Sequence, residues 1–216
     1  LKLTNKLNLK KFLPNVKDEI NFNDHIINII YDKKNITIEG SGKILSQNEN
    51  DLVNYKLKKK NEFINFETNL IVEKNPLLID FLGYNKKSEI KANLKLKGIY
   101  VDRKKILIES FSLDENKNKF KIDKLVLDKK FKIIEFKKID LDYVDIETRQ
   151  NKINIIKEKN KYILNGPKFN ANSLIEKLIN NDDSKNSEIF NQNIYLNINI
   201  DQVFLDKEHK INNLIG

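Results

Sequence analysis

Residues 88–143 decide the fold: SEIKANLKLKGIYV (88–101), KILIESFSL (105–113), KFKIDKLVL (119–127) and FKIIEFKKIDLDY (131–143), with short joins between them. Apolar and polar residues alternate along each run, the period of two that places unlike side chains on the two faces of a strand. Four strands in sequence order, each antiparallel to the last, are the simplest arrangement. Each join begins with an apolar residue and an Asp, at Val101-Asp102, Leu113-Asp114 and Leu127-Asp128, followed by Lys, Arg, Glu or Asn. An Asp carboxylate accepts hydrogen bonds from the backbone N–H groups just ahead of it and stabilises a reversal, while lysines keep the loop in water. The same phrase stands at Tyr31-Asp32-Lys33-Lys34 and at Leu205-Asp206-Lys207.

The pattern continues on both sides. HIINIIY (25–31) and NITIEGSGKIL (35–45) form a hairpin across Asp32, and Gly40-Ser41-Gly42 marks a bulge or bend in its second strand. Residues 52–58 and 62–72 extend the sheet, with Ile64, Phe66, Leu70 and Val72 on one face. Residues 1–24 hold two mixed segments separated by Pro14, each suited to an edge strand. Two short helices are expected. NPLLIDFLG (75–83) has an Asn cap, Pro at the first helical position and Gly past the end. SLIEKLI (173–179) opens with a Ser173-x-x-Glu176 capping box and places Leu174, Ile175, Leu178 and Ile179 on one side. Helices this short are not stable alone, so both must dock on the sheet. Residues 180–187 read as a polar loop, and NIYLNINIDQVFL (193–205) resumes the sheet.

An internal echo bears on domain organisation. Residues 93–103 align without gaps on 197–207, and each copy follows one of the short helices. We therefore expect 1–216 to be a single β-rich segment of a longer repeat protein, with modules starting at 75–83 and 173–180. The start at Leu1 and the absence of Met suit the same expectation.

The chemistry-bearing residues are sparse. There is no Cys, which excludes disulfides, zinc–thiolate sites and thiol catalysis. The net charge is +9, yet of 40 basic residues only Arg103 and Arg149 are arginine. Nucleic-acid readers use arginine for bidentate contacts to guanine and phosphate, so the balance points to solvated lysine faces and away from a nucleic-acid partner. His25 and His209 stand at opposite ends of the chain, and no nucleophile elbow, phosphate loop, dinucleotide fingerprint or His-Glu-x-x-His motif occurs. Asp140, Asp142 and Asp145 form the densest carboxylate group, but Val144 occupies the place of a calcium ligand, and cross-strand pairing with lysines accounts for them better. Asp182-Asp183 reads as a solvated helix end. We expect no enzymatic activity, no cofactor and no metal. No run of eighteen apolar residues is present to span a bilayer as a helix.

A sheet with one apolar face must cover it, and two short helices cannot cover some ten strands. Three arrangements meet that shortage: closure into a sandwich or barrel, an outer-membrane barrel, or an open groove filled by long hydrocarbon chains. The membrane barrel fits poorly, because such barrels carry aromatic girdles and this chain has no Trp and only seven Tyr. Periodicity does not choose between sandwich and groove.

A family likeness bears on that choice. The segment GPKFNANSLI (166–175), the alternating strand and Asp turn of 194–216 ending in Ile-Asn-Asn-Leu-Ile-Gly, and the helix 76–83 followed by a long alternating strand together resemble the AsmA-like superfamily of Gram-negative envelope proteins. The likeness covers about 24–216 and is nearest to the YhdP-type members, less near to the TamB-like ones. It implies a mainly β fold, a long twisted antiparallel meander forming an open apolar groove. It also implies a periplasmic protein, tethered to the inner membrane by a segment outside this chain, that moves phospholipid towards the outer membrane, with the two membranes and other envelope proteins as partners. The expected groove residues are Ile90, Ala92, Leu94 and Leu96 with Ile194, Leu196, Ile198 and Ile200, along which acyl chains would lie. The rivals are a structural or adhesive β-sandwich without lipid cargo and a basic nucleic-acid-binding surface.

Overall fold

The computed structural model describes residues 1–5, 9–101, 104–180 and 195–216. The strands are β1 (Lys2–Thr4), β2 (Glu19–Asp32), β3 (Asn35–Leu45), β4 (Asp51–Lys60), β5 (Phe63–Val72), β6 (Leu77–Ile79), β7 (Tyr84–Lys86), β8 (Ala92–Val101), β9 (Lys105–Glu115) and β10 (Asn118–Asp128). They continue as β11 (Ile133–Glu135), β12 (Lys138–Val144), β13 (Gln150–Glu158), β14 (Lys161–Asn170), β15 (Tyr195–Phe204) and β16 (Lys210–Ile215). One α-helix, α1 (Asn172–Asn180), and two 3-10 turns at Leu9–Lys11 and Asp80–Leu82 complete the described elements.

Fourteen strands make one open sheet in the order β1-β2-β3-β4-β5-β8-β9-β10-β12-β13-β14-β15-β16, with β11 beside β10. Strands β6 and β7 form a separate two-stranded hairpin. Among the described residues the large sheet is not closed and no second sheet of comparable size faces it. Neighbours in the large sheet are antiparallel except β14 and β15, which run parallel from Lys161↔Tyr195 to Asn170↔Phe204. Parallel neighbours require a crossover connection, and α1 stands in it.

The meander of 88–143 forms as expected, with two adjustments. The first strand begins at Ala92, so Ile90 lies in a bend outside the sheet. The fourth run is split at Phe136-Lys137, with β11 beside the Val126–Leu127 end of β10 and β12 beside 119–123. The expected helix at 75–83 is instead the β6 strand, the 3-10 turn Asp80–Leu82 and Gly83, whose φ of 62° reverses the chain into β7. Propensity favours a helix there, but tertiary pairing of Leu77 with Lys86 and Ile79 with Tyr84 overrides it.

The Asp turns divide by geometry. Asp128 Oδ1 accepts from the backbone N–H of Lys130 at 2.7 Å and of Lys132 at 2.9 Å, and Asp206 Oδ1 from Glu208 at 2.8 Å and His209 at 2.7 Å. Asp145 makes the same turn, accepting from Glu147 and Arg149 at 2.9 Å each. Asp114 does not, because it lies within β9 opposite Asn93 and Lys119, and the chain reverses at Asn116-Lys117. In that turn and in three other two-residue turns the first residue, Lys33, Asn61, Asn116 or Lys159, has φ near 52°, a geometry matched to strand twist. Asp102, Arg103 and the residues 181–194, including the expected loop, Asp182-Asp183 and Ile194, lie outside the described residues.

Ladder irregularities fall next to one another on successive strands. The β8–β9 register shifts between Lys97 and Gly98, leaving Glu109 unmatched; Lys124 of β10 has φ 52°; and the β11–β12 break follows on the next strand. Bulges kink a strand and increase its twist. A Cβ at Gly98 would sit 2.3 Å from the Leu107 carbonyl and 2.7 Å from the Phe66 ring, so only Gly allows this close approach. The expected bulge at Gly40-Ser41-Gly42 falls on the partner strand instead, between Asn23 and Ile26 of β2, and the glycines make room for the rings of Tyr55 and His25.

Candidate apolar groove

Antiparallel register lines up side chains across strands, so rows on one face can be read from the pairings. The longest described row is Gly40, Tyr55, Thr68, Leu96, Phe111, Ile122, Ile139, Ile155, Leu164 and Ile198. At about 4.8 Å per strand its nine steps span about 43 Å. On one side runs a shorter row, Ile38, Leu57, Phe66, Gly98, Ile108 and Leu125. On the other side Leu70, Leu94, Leu113, Phe120, Leu141 and Ile153 lead into the buried core. These three rows form a continuous apolar floor that no single stretch of the chain contains.

Among the described residues, one border of this floor is covered. The hairpin β6–β7 with its 3-10 turn inserts Leu77, Leu82 and Tyr84 over the ends of the strands, where Val72, Ala92, Leu113, Phe120, Tyr143, Phe169 and Val203 are buried beneath it. Leu174 and Ile175 of α1 pack on the same cluster, and α1 touches the Asp80–Leu82 turn. Tyr84, Phe120 and Tyr143 form an aromatic group with centroid distances of 4.6, 5.0 and 6.1 Å. Away from this cover, Leu57, Phe66, Leu96, Phe111, Ile122, Ile139 and Ile155 stay half-buried by packing on their neighbours in the floor.

Polar networks lock the cover in place. Lys86 is fully buried, and its Nζ donates to the carbonyls of Glu73, Asn75 and Lys87 at 2.9, 2.7 and 3.1 Å. Burial pushes its pKa below the ordinary lysine value, against the pull of Asp51 and Glu115. Burial likewise raises Asp51, opposed by the hydrogen bond from Asn75 at 2.8 Å. Tyr84 Oη donates to Glu115 at 2.5 Å, and burial followed by that bond drives its pKa far upward. At the neighbouring corner Asp145 Oδ2 accepts from Asn151 at 3.0 Å and Asn170 at 2.7 Å, while Arg149 donates to the carbonyls of Asp206 and Lys207 and stacks 4.3 Å from the Phe204 ring. These groups anchor the cover through bonds to one another and to backbone.

The face opposite the floor is mainly polar, with the apolar pairs Leu52–Ile71, Leu107–Val126 and Ile156–Ile163 set among its charges. Its lysines pair across strands, Lys152 with Asp142 at 3.0 Å and Lys56 with Glu39 at 2.7 Å, and Lys138 meets Asp140 at 2.8 Å. The carboxylates weighed as a calcium site are thus engaged, and among the described residues no group of three or more His, Asp or Glu is placed to hold a metal ion.

The uncovered ends of the strands form a lip along the floor. Its turns and strand ends carry Lys33, Lys34, Lys58, Lys59, Lys60, Lys104, Lys105, Lys129, Lys130, Lys132, Lys159 and Lys161. Among the described residues there, these are joined by Asp32, Glu62, Asp128, Glu135 and Glu158, of which Glu62 pairs with Lys104 at 3.2 Å, so lysine remains in excess. The covered end is balanced, with Glu49, Glu73, Asp80, Glu89, Glu147, Asp206 and Glu208 among Lys74, Lys87, Lys91, Lys117, Lys207 and Lys210.

The sequence-derived groove residues fall into four places. Leu94, Leu96 and Ile198 lie on the floor, half-buried. Ala92 and Ile200 are on the same face but under the cover, 0% and 2% exposed. Leu196 faces the floor opposite Tyr162 at the last strands and is 40% exposed. Ile90 is outside the sheet, and Ile194 is outside the described residues. The contributions of β9, β10, β12 and β13, with Phe111, Ile122, Ile139 and Ile155, were legible only as strand alternation. No helix among the described residues is long and apolar enough to cross a membrane. No family model, curated protein or solved structure matches the chain.

Proposed function

We propose that the chain is a non-enzymatic lipid-binding segment whose apolar floor holds the acyl chains of phospholipids. The observation that carries this reading is the row about 43 Å long, apolar but for Thr68, which runs across ten strands and has no covering layer along one side among the described residues. A hydrocarbon chain laid on it leaves water at a gain of about 0.8 kcal/mol per buried CH₂, while a headgroup stays in water at the lip. Binding is passive, and no group in the floor needs to titrate or react. The likeness to the AsmA-like superfamily supports the same reading and extends it to transport between the inner and outer membranes from a periplasmic position.

Photo-crosslinking tests this directly. A benzophenone amino acid replacing Phe111 on the floor, and in a second protein replacing Ser112 on the opposite face, is irradiated after purification from cells, and adducts are identified by mass spectrometry. Phospholipid attached at position 111 and not at 112 is expected. Equal capture at both positions, or none at either, overturns the reading.

A further inference from the structure

The lysine-rich lip also carries exposed aromatic residues. Tyr31 is 71% exposed, Phe63 48%, Phe131 54% and Tyr195 74%, and all four lie at or next to strand ends of the lip. Sheet order puts on one edge turns as far apart in the chain as Lys33 and Lys159, so neither the charge nor the aromatics form a cluster in the sequence. Phe131 is held at φ 63° in the Asp128 turn, a left-handed conformation unfavourable for a bulky residue, and the two backbone bonds to Asp128 hold it there. Its ring is not used in the core.

We propose that this lip docks on an anionic lipid bilayer surface, the lysines meeting lipid phosphates and acidic headgroups while the rings of Tyr31, Phe63, Phe131 and Tyr195 enter the interface. Charge complementarity chooses this occupant. Lysine clusters are drawn to anionic leaflets, tyrosine rings with one apolar and one wet side settle at headgroup level, and phenylalanine rings add apolar area that leaves water at the acyl boundary. A polyanion such as duplex DNA would use the charge but give the rings no apolar phase. The inference goes beyond the groove reading, because lip docking stands or falls whether or not the floor carries cargo.

Co-sedimentation with vesicles tests it. The parent protein is compared on phosphatidylcholine vesicles and on vesicles containing phosphatidylglycerol, beside K33E/K34E, K129E/K130E and the covered-end control K207E/K210E. Each lip pair should weaken binding to the anionic vesicles about tenfold or more, and the control should change it little. Phe131→Asn gives an independent arm: Asn tolerates the left-handed turn, so melting should hold while vesicle binding falls. Absence of preference for anionic vesicles, equal losses in lip and control pairs, or lip-dependent binding of a short DNA duplex more tightly than the vesicles would each overturn the proposal.

Discussion

Substituting Leu96 by Asp, beside the same change at Ile200, separates an open floor from a closed core. Ile200 is 2% exposed under the cover, so an Asp there forfeits about 1.5–3 kcal/mol of side-chain burial and leaves an unpaired carboxylate in apolar surroundings at a further cost of several kcal/mol. That sum approaches the whole stability of a typical domain, about 5–15 kcal/mol, and the I200D protein should fail to fold or melt far lower. Leu96 is half-buried, in the floor between Thr68 and Phe111. There the carboxylate reaches water, so the loss is near half the burial term with little desolvation, about 1–2 kcal/mol. For a chain of this size each kcal/mol lowers the Tm by about 2–4 °C, which sets the expected drop at about 2–8 °C. Calorimetry gives the melting, and organic extraction followed by mass spectrometry gives bound phospholipid, which should fall in L96D. Collapse of L96D to the level of I200D would show the floor to be closed; unchanged lipid content in a well-folded L96D would remove the groove from lipid binding.

Gly98→Ala forces a Cβ to within 2.3 Å of the Leu107 carbonyl. The backbone must shift at a cost of about 1–3 kcal/mol, seen as a lowered denaturant midpoint; an unchanged midpoint would remove Gly98 from the bulge. Asp145→Ala removes the acceptor of two turn N–H groups and of the Asn151 and Asn170 amides, and should cost about 3–5 kcal/mol in chemical denaturation, whereas a loss below about 1 kcal/mol would mean that this corner does not anchor the cover. The Asp206 carboxyl is depressed to about 2, first by the backbone N–H of His209, then by those of Glu208 and the His209 ring. A depressed carboxylate contributes stability that is present above its ordinary value of 3.8 and lost as pH falls through about 2. Carbon-13 NMR of the Asp206 carboxyl should give a midpoint near 2, and a midpoint near 3.8 would undo that turn geometry.

The sequence by itself determined the strands and their faces, because alternation with a period of two is written residue by residue and needs no distant partner. It also determined the reversals at Asp128 and Asp206, where one carboxylate caps its own loop. What it left open depended on contacts between segments far apart in the chain. Residues 75–83 carry helix signals, yet they form a hairpin because Tyr84 and Lys86 must reach the aromatic group and the backbone carbonyls that bury them. Ile200 and Leu96 are alike in pattern, and only the position of the cover makes one core and the other floor. The parallel seating of β15 on β14 was equally invisible, since either strand direction satisfies the same alternation. Tertiary order also gathered the lysines of separate turns on one lip: in an antiparallel sheet every second reversal returns to the same end, so lysine placed in alternate turns becomes a one-sided edge in space.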